Sequence, residues 1–424
     1  MSQGRERWAA RLTTAGVFLV PAVALLFPSG YSVGAALLFL ASLLNIGAWS
    51  RCRPSREMRW WIACVLCMGL VWAMDINAVR GWASADRPAK YLLVLPCFLQ
   101  LCLCPARAGV LRLGVAAGAI GGGSVALFQN LVERSPRVDG FMNAIQFGDL
   151  SMLLGCMCAL WLVVGGAGGK RQTRLLLAAG ACLGILGSVL SLSRGGWLAG
   201  VLSLPLWLWL LARGHNHRRM WHALAALSLM GLLIGWYQGP EVAQRWTEAV
   251  QEGDAYREGV PATINTSSGQ RLEHWRLALE MGRDRPWLGW RGQYTAEKTR
   301  RVQAGEIDPT VLQFDHAHNE VLDMFAKRGL VGVAALLFFY LVPLLVFWPR
   351  RLDSEARRQE AGDQGVFALR LAGLAIPVLY TGFGLTQVFF AHNSGNLFYL
   401  LMVTMVMTAL QQRRAAGVSA PAMA

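Results

Sequence analysis

The sequence predicts an all-α integral membrane protein, with about twelve transmembrane helices interrupted by one long extramembrane loop. Three observations carry this. Of 424 residues, 54% are hydrophobic and only 15% charged, with a mean hydropathy of +0.38, which is too apolar for a soluble chain of this length. Apolar runs follow one another almost end to end, and a helix needs roughly 20 such residues to cross about 30 Å of hydrocarbon while satisfying its own backbone. That pattern stops only once for long, between Gln238 and Glu320, where charge, Gly and Pro take over.

The chain begins with Arg5, Arg7 and Arg11 ahead of an apolar run, as a cleavable signal peptide would. No small-x-small site follows Phe27, so the run is read as the first span. Spans are expected at 13–28, 31–49, 60–75, 90–105, 110–129, 148–167, 173–192, 195–212, 219–237, 325–348, 366–388 and 392–411. In the loop, Ser267 and Gln270 have the spacing of a capping box, and Leu272, Trp275 and Leu279 recur at i, i+3 and i+7. An amphipathic helix over 268–282 is the expectation. Asp284, Pro286, Gly289 and Gly292 then force a turn rich in Trp and Arg. Val321, Leu322 and Phe325 share a helical face, so a helix should start at about His318 and run into the tenth span. The domains are therefore 1–237, a transmembrane bundle of about nine helices; 238–324, a loop subdomain; and 325–424, about three more helices and a tail.

Charge sets the orientation. With the N terminus inside, the rims on the cytoplasmic side hold 22 of the 40 basic residues and 6 of the 25 acids, whereas the opposite side is nearly neutral. The basic pI of 9.9 is thus a topology signal scattered over short loops, and nucleic-acid binding is excluded. The nine cysteines all lie in spans or on the inner rim, none in the long loop, so no disulfide framework is indicated. Cys64 and Cys67 sit beside Trp60 and Trp61 in an apolar helix and are read as packing.

Three groups of residues could carry chemistry. Arg194, in SLSRGGWLAG, lies in a very tight turn between two apolar runs; it either snorkels to headgroups or forms an anion site near the outer leaflet. Arg271 lies at the start of the loop helix, where the helix N terminus adds positive character suited to phosphate; a solvated helix-face arginine is the plain alternative. His316, His318 and Asn319 stand where the loop returns to the membrane. A neutral imidazole there can take a proton from a hydroxyl, or an H-x-H pair with Asp315 and Glu320 could bind a metal. No span has an acid near its centre, which weakens a proton-coupled transporter, and no Walker motif supplies ATP. An activated substrate is the simplest energy source.

Taken in order, SRGGWLAG, SGQRLEHWRLAL followed by PWLGW, and HAHNEVLDMFAKRGLVG resemble the O-antigen ligase family, which includes related polysaccharide polymerases. The resemblance runs from about Gly187 to Leu345. It implies a GT-C-type glycosyltransferase bundle in the bacterial inner membrane, with both termini cytoplasmic and the active site facing the periplasm. It also implies transfer of O-antigen from undecaprenyl pyrophosphate to a sugar of the lipid A-core oligosaccharide, among membrane lipids and with no cofactor or metal. Carried over by motif, His318 would activate the acceptor hydroxyl and Arg194 and Arg271 would hold the donor pyrophosphate. His316, Asn319 and Arg291, the last in LGWRG, are candidate substrate contacts.

Overall fold

A computed structural model describes residues 2–76, 81–165, 170–213, 221, 266–349 and 363–418, together with 239–240, 243–244, 246–248, 250–255 and 257–258. No strand occurs among the described residues. The N-terminal helices are α1 (Ser2–Ala22), α2 (Tyr31–Leu44), α3 (Arg56–Ala73), α4 (Asp86–Leu93) and α5 (Leu95–Leu103). Then come α6 (Ala108–Leu131), α7 (Ala144–Gly165), α8 (Arg171–Leu190) and α9 (Arg194–Arg213). The loop contributes α10 (Ser267–Asp284) and α11 (Tyr294–Gln303), and α12 (Glu320–Phe347), α13 (Gln364–Phe383) and α14 (Asn393–Val418) complete the chain.

Among the described residues seven helices, α6 to α9 and α12 to α14, are long and apolar enough to cross a membrane. Helices α1 to α3 lie at the first three expected spans. The fourth, 90–105, is instead the broken pair α4–α5, because Pro96 opens a new helix and cannot continue the old one. The expected ninth span, 219–237, lies outside the described residues apart from Trp221.

Helices α13 and α14 form the centre, with 83% and 89% of their apolar windows buried. Helix α13 packs against α7, α9, α12 and α14. Small residues let backbones touch: a Cβ on Gly184 of α8 would lie 2.8 Å from the Cα of Gly155 on α7. Trp61 of α3 stacks on Phe339 of α12 with centroids 5.2 Å apart, and its indole N–H donates to Thr404 of α14 at 2.9 Å.

The loop is fastened to the bundle at a break in α12. Gly329 departs from helical geometry (φ 63°, ψ −159°), which frees the next amides. The N–H groups of Leu330 and Val331 donate to the carbonyls of Pro286 (2.7 Å) and Trp287 (3.2 Å), and Trp290 N–H returns a bond to Ala326 O (3.0 Å). A Cβ on Gly329 would come within 2.3 Å of the Trp287 carbonyl carbon, and one on Gly289 within 2.3 Å of that of Lys327. PWLGW and KRGLVG are therefore two halves of one joint. Beside it the fully buried Arg328 pairs with Asp75 just after α3 and lies 3.7 Å from the centre of the Trp72 ring. A small core of Leu277, Met281, Tyr294, Val311 and Ala326 fills the space between α10, α11 and α12.

Two expected helix starts shift. Helix α10 is capped by Thr266, whose hydroxyl accepts from Gly269 N–H at 3.1 Å, one residue before the expected Ser267. Helix α12 begins at Glu320 rather than His318, because His318 has left-handed backbone geometry (φ 52°) that a right-handed helix excludes.

Candidate active site

The Asp315 to His318 strip is held from behind by the first turns of α12. Asp323 accepts the Ala317 N–H at 3.1 Å and pairs with Lys327 at 2.8 Å, and Lys327 donates to Asp315 O at 2.6 Å. The left-handed turn at His318 places its ring 4.3 Å from that of His316, 4.6 Å from Phe314 and 5.6 Å from His274 (centroid distances). Asn319 then caps α12: its Oδ1 accepts from Val321 and Leu322 N–H, and its amide donates to Leu385 O at 3.2 Å. Glu320, buried, takes the Phe390 N–H at 3.0 Å while its own N–H donates to Gly384 O at 2.7 Å. Asn319 and Glu320 thereby anchor the 384–392 segment. That segment brings Gln387, which hydrogen-bonds the His318 ring, and His392, whose ring lies 6.1 Å from His316.

On the other flank, the turn between α8 and α9 presents Arg194 as the first residue of α9. Leu192 makes the turn in left-handed geometry (φ 52°), and the buried carboxylate of Asp149 accepts from Ser193 Oγ at 2.9 Å and from the Gly196 amide. The two glycines after Arg194 are required by crowding. A Cβ on Gly195 would meet Thr386 Oγ1 at 2.3 Å, and one on Gly196 would meet Asp149 Oδ1 at 3.0 Å. Thr386 precedes Gln387, so the same close approach sets α9 against the segment that holds His318. Arg137, from the α6–α7 connection, donates to Ser191 O at 3.2 Å on this turn.

The charges of these groups reach one another. Burial, then the positive charges of Arg194 and Arg137, lower the proton affinity of Arg271, with Glu252 opposing. Burial, then the charge of Arg271, push His318 down to about 4, with the Gln387 hydrogen bond opposing. Burial and the neighbouring His318 likewise take His274 to about 4 and His316 to about 3. At neutral pH these three imidazoles are uncharged. His318 Nδ1 is buried with no hydrogen-bond partner among the described residues, an unsatisfied polar atom that a bound ligand could complete.

Arg194, Arg271, His318 and His316 are thus brought together. Asn319 adjoins them, but its side chain is engaged in capping. Arg291 stands apart, in left-handed geometry (φ 50°), on a different cleft with Trp72, Asp75 and Tyr294. Among the described residues no three His, Cys, Asp or Glu side chains are arranged to hold a metal ion. Arg137, His274, Gln387 and His392 were not singled out from the sequence. Only His274 left a local signal: it lies three residues after Arg271, on the same helical face.

Residues 179–339, which include Arg194, Arg271 and His318, match the family described as O-antigen ligase. An uncharacterized protein of Haemophilus influenzae is 26% identical over 322 residues, covering 75% of this chain and 78% of that relative. Residues 179–339 thus form a segment similar to the O-antigen ligase domain.

Proposed function

We propose that the protein is an O-antigen ligase. It transfers a glycan from undecaprenyl pyrophosphate to a sugar hydroxyl of the lipid A-core oligosaccharide, on the periplasmic face of the bacterial inner membrane. The observation that carries this reading is a neutral, partly unpartnered histidine beside clustered arginines, within the family's domain. Arg194 and Arg271, with Arg137, hold the donor pyrophosphate. His318 takes the proton of the acceptor hydroxyl as its oxygen attacks the anomeric carbon. The bond from that carbon to the pyrophosphate oxygen breaks, its electron pair stays with the pyrophosphate, and the arginines stabilise the charge that builds there. One displacement inverts the anomeric centre, and His318 returns its proton to water. Pyrophosphate is already a good leaving group, so no step calls for a metal or a nucleotide.

On this reading the chain has twelve spans in a GT-C-type bundle with both termini cytoplasmic, regions 1–237 and 325–424 forming the bundle and 238–324 a periplasmic subdomain; seven helices among the described residues, long and apolar enough to span, support it. The test is transfer in vitro by purified protein, from undecaprenyl-pyrophosphate glycan to lipid A-core, in EDTA and without nucleotide. Wild type should ligate and His318→Ala should lose at least about a hundredfold. Longer lipid-linked glycan in place of a lipid A-core product would make the protein a polymerase. Undiminished transfer by His318→Ala would remove the base from the scheme.

A further inference from the structure

Arg291 opens onto a cleft of about 370 Å³ between the end of α3, the start of α4 and the turn before α11. Its chemistry differs from that of the arginine cluster. Three carboxylates, of Asp75, Asp86 and Asp315, face three cations, so the lining is close to neutral. Several of its polar atoms are unused. Among the described residues the buried hydroxyl of Tyr294, itself 2% exposed, has no partner, and Asp75 Oδ1 is buried and unpartnered although its other oxygen pairs with Arg328. The Arg291 side chain makes no hydrogen bond or ion pair among the described residues, while its backbone carbonyl accepts from Tyr294 N–H. A buried hydroxyl without a partner is costly unless a ligand or water completes it.

The ligand class follows from that inventory. An anion would call for excess positive charge, and an apolar ligand would leave the Tyr294 hydroxyl and the Asp75 oxygen unpaired. A sugar ring, with hydroxyls that each donate once and accept twice, matches a neutral set of mixed donors and acceptors. The place of the cleft is equally specific. Its wall includes Asp315 and Lys327, and these are bonded to each other and, through Asp323, to the strip that ends in His318. The charge of Arg271 acts on His318 as well, and those of Arg194 and Arg137 act on Arg271. An in-line displacement needs the incoming hydroxyl opposite the leaving pyrophosphate, with the base touching that hydroxyl.

Resting on the ligase reading, we infer that the cleft beside Arg291 and Tyr294 is the acceptor subsite, holding a saccharide unit of the core oligosaccharide while a hydroxyl of the acceptor reaches His318. The guanidinium of Arg291 and the Tyr294 hydroxyl donate to the sugar, and Asp75 Oδ1 accepts from it. None of the three takes part in bond breaking; they set which acceptor is bound.

The test is transfer by the purified full-length protein, at fixed undecaprenyl-pyrophosphate glycan and increasing delipidated core oligosaccharide. Wild type, Arg291→Ala and Tyr294→Phe are compared after thermal unfolding has shown that all three fold alike. The KM for acceptor should rise about tenfold in Arg291→Ala and about threefold in Tyr294→Phe, while the KM for donor stays at the wild-type value. Wild-type transfer with unaltered acceptor KM in both variants overturns the assignment and leaves the ligase reading standing. A raised donor KM instead also overturns it, because the cleft would then hold the donor glycan. No transfer to core oligosaccharide by wild type refutes the ligase reading and the subsite together.

Discussion

If His318 is the base, the pH dependence of the reaction carries the signature of its surroundings. Burial and the Arg271 charge lower its pKa from 6.5 to about 4. The unprotonated fraction at pH 5 is then about 90%, against about 3% for an imidazole titrating at its ordinary value. The rate should therefore be flat from pH 8 to about 5.5 and fall with a midpoint near 4. The assay is initial ligation rate at subsaturating acceptor across that range, with circular dichroism confirming the fold at each pH. That control matters because stability shifts in the same direction. The unfolded chain binds protons at these histidines from about 6.5 downward and the folded chain only at about 4. The stability that comes from keeping them neutral is thus present above pH 6.5 and is lost as pH falls toward 4. A rate midpoint near 6.5 in folded protein would refute the reasoning, since it would mean that His318 is solvated and free of Arg271, or is not the base.

Two further changes test other parts of the structure. Arg194→Lys and Arg271→Lys keep the charge but lose the planar fork that grips two phosphate oxygens, so kcat/KM for donor should fall about 10- to 100-fold; wild-type values would remove the clamp. Gly329→Ala puts a Cβ 2.3 Å from the Trp287 backbone at positive φ, and should destabilise by about 3 kcal/mol or more, read as a large loss in thermal stability in detergent. Gly305→Ala, also at positive φ but with nothing within 4 Å, should cost about 1 kcal/mol and serves as the control.

Much of this protein was readable locally. Span length and hydropathy identify the membrane helices because lipid imposes a requirement on each segment by itself. Arg194 stood out as a cation between apolar runs, and α10 through its apolar spacing. Prolines and backbone signs were harder: Pro96 divides an expected span, and the left-handed turn at His318 moves the start of α12 by two residues, although the local sequence reads as continuous helix.

The amino-acid sequence by itself determined the membrane class, the interruption of the apolar pattern and the individual candidate side chains, because these follow from chain composition and short-range periodicity. Only the tertiary structure decided that Arg194, Arg271, Arg137 and His318 meet, that Asn319 works as a cap, and that Arg291 faces another cleft. Those outcomes depend on close approaches between segments far apart in the chain, such as Gly195 against Thr386 and Gly329 against Trp287. A missing side chain at such a glycine permits the contact, but nothing in its neighbouring residues says what will fill the space.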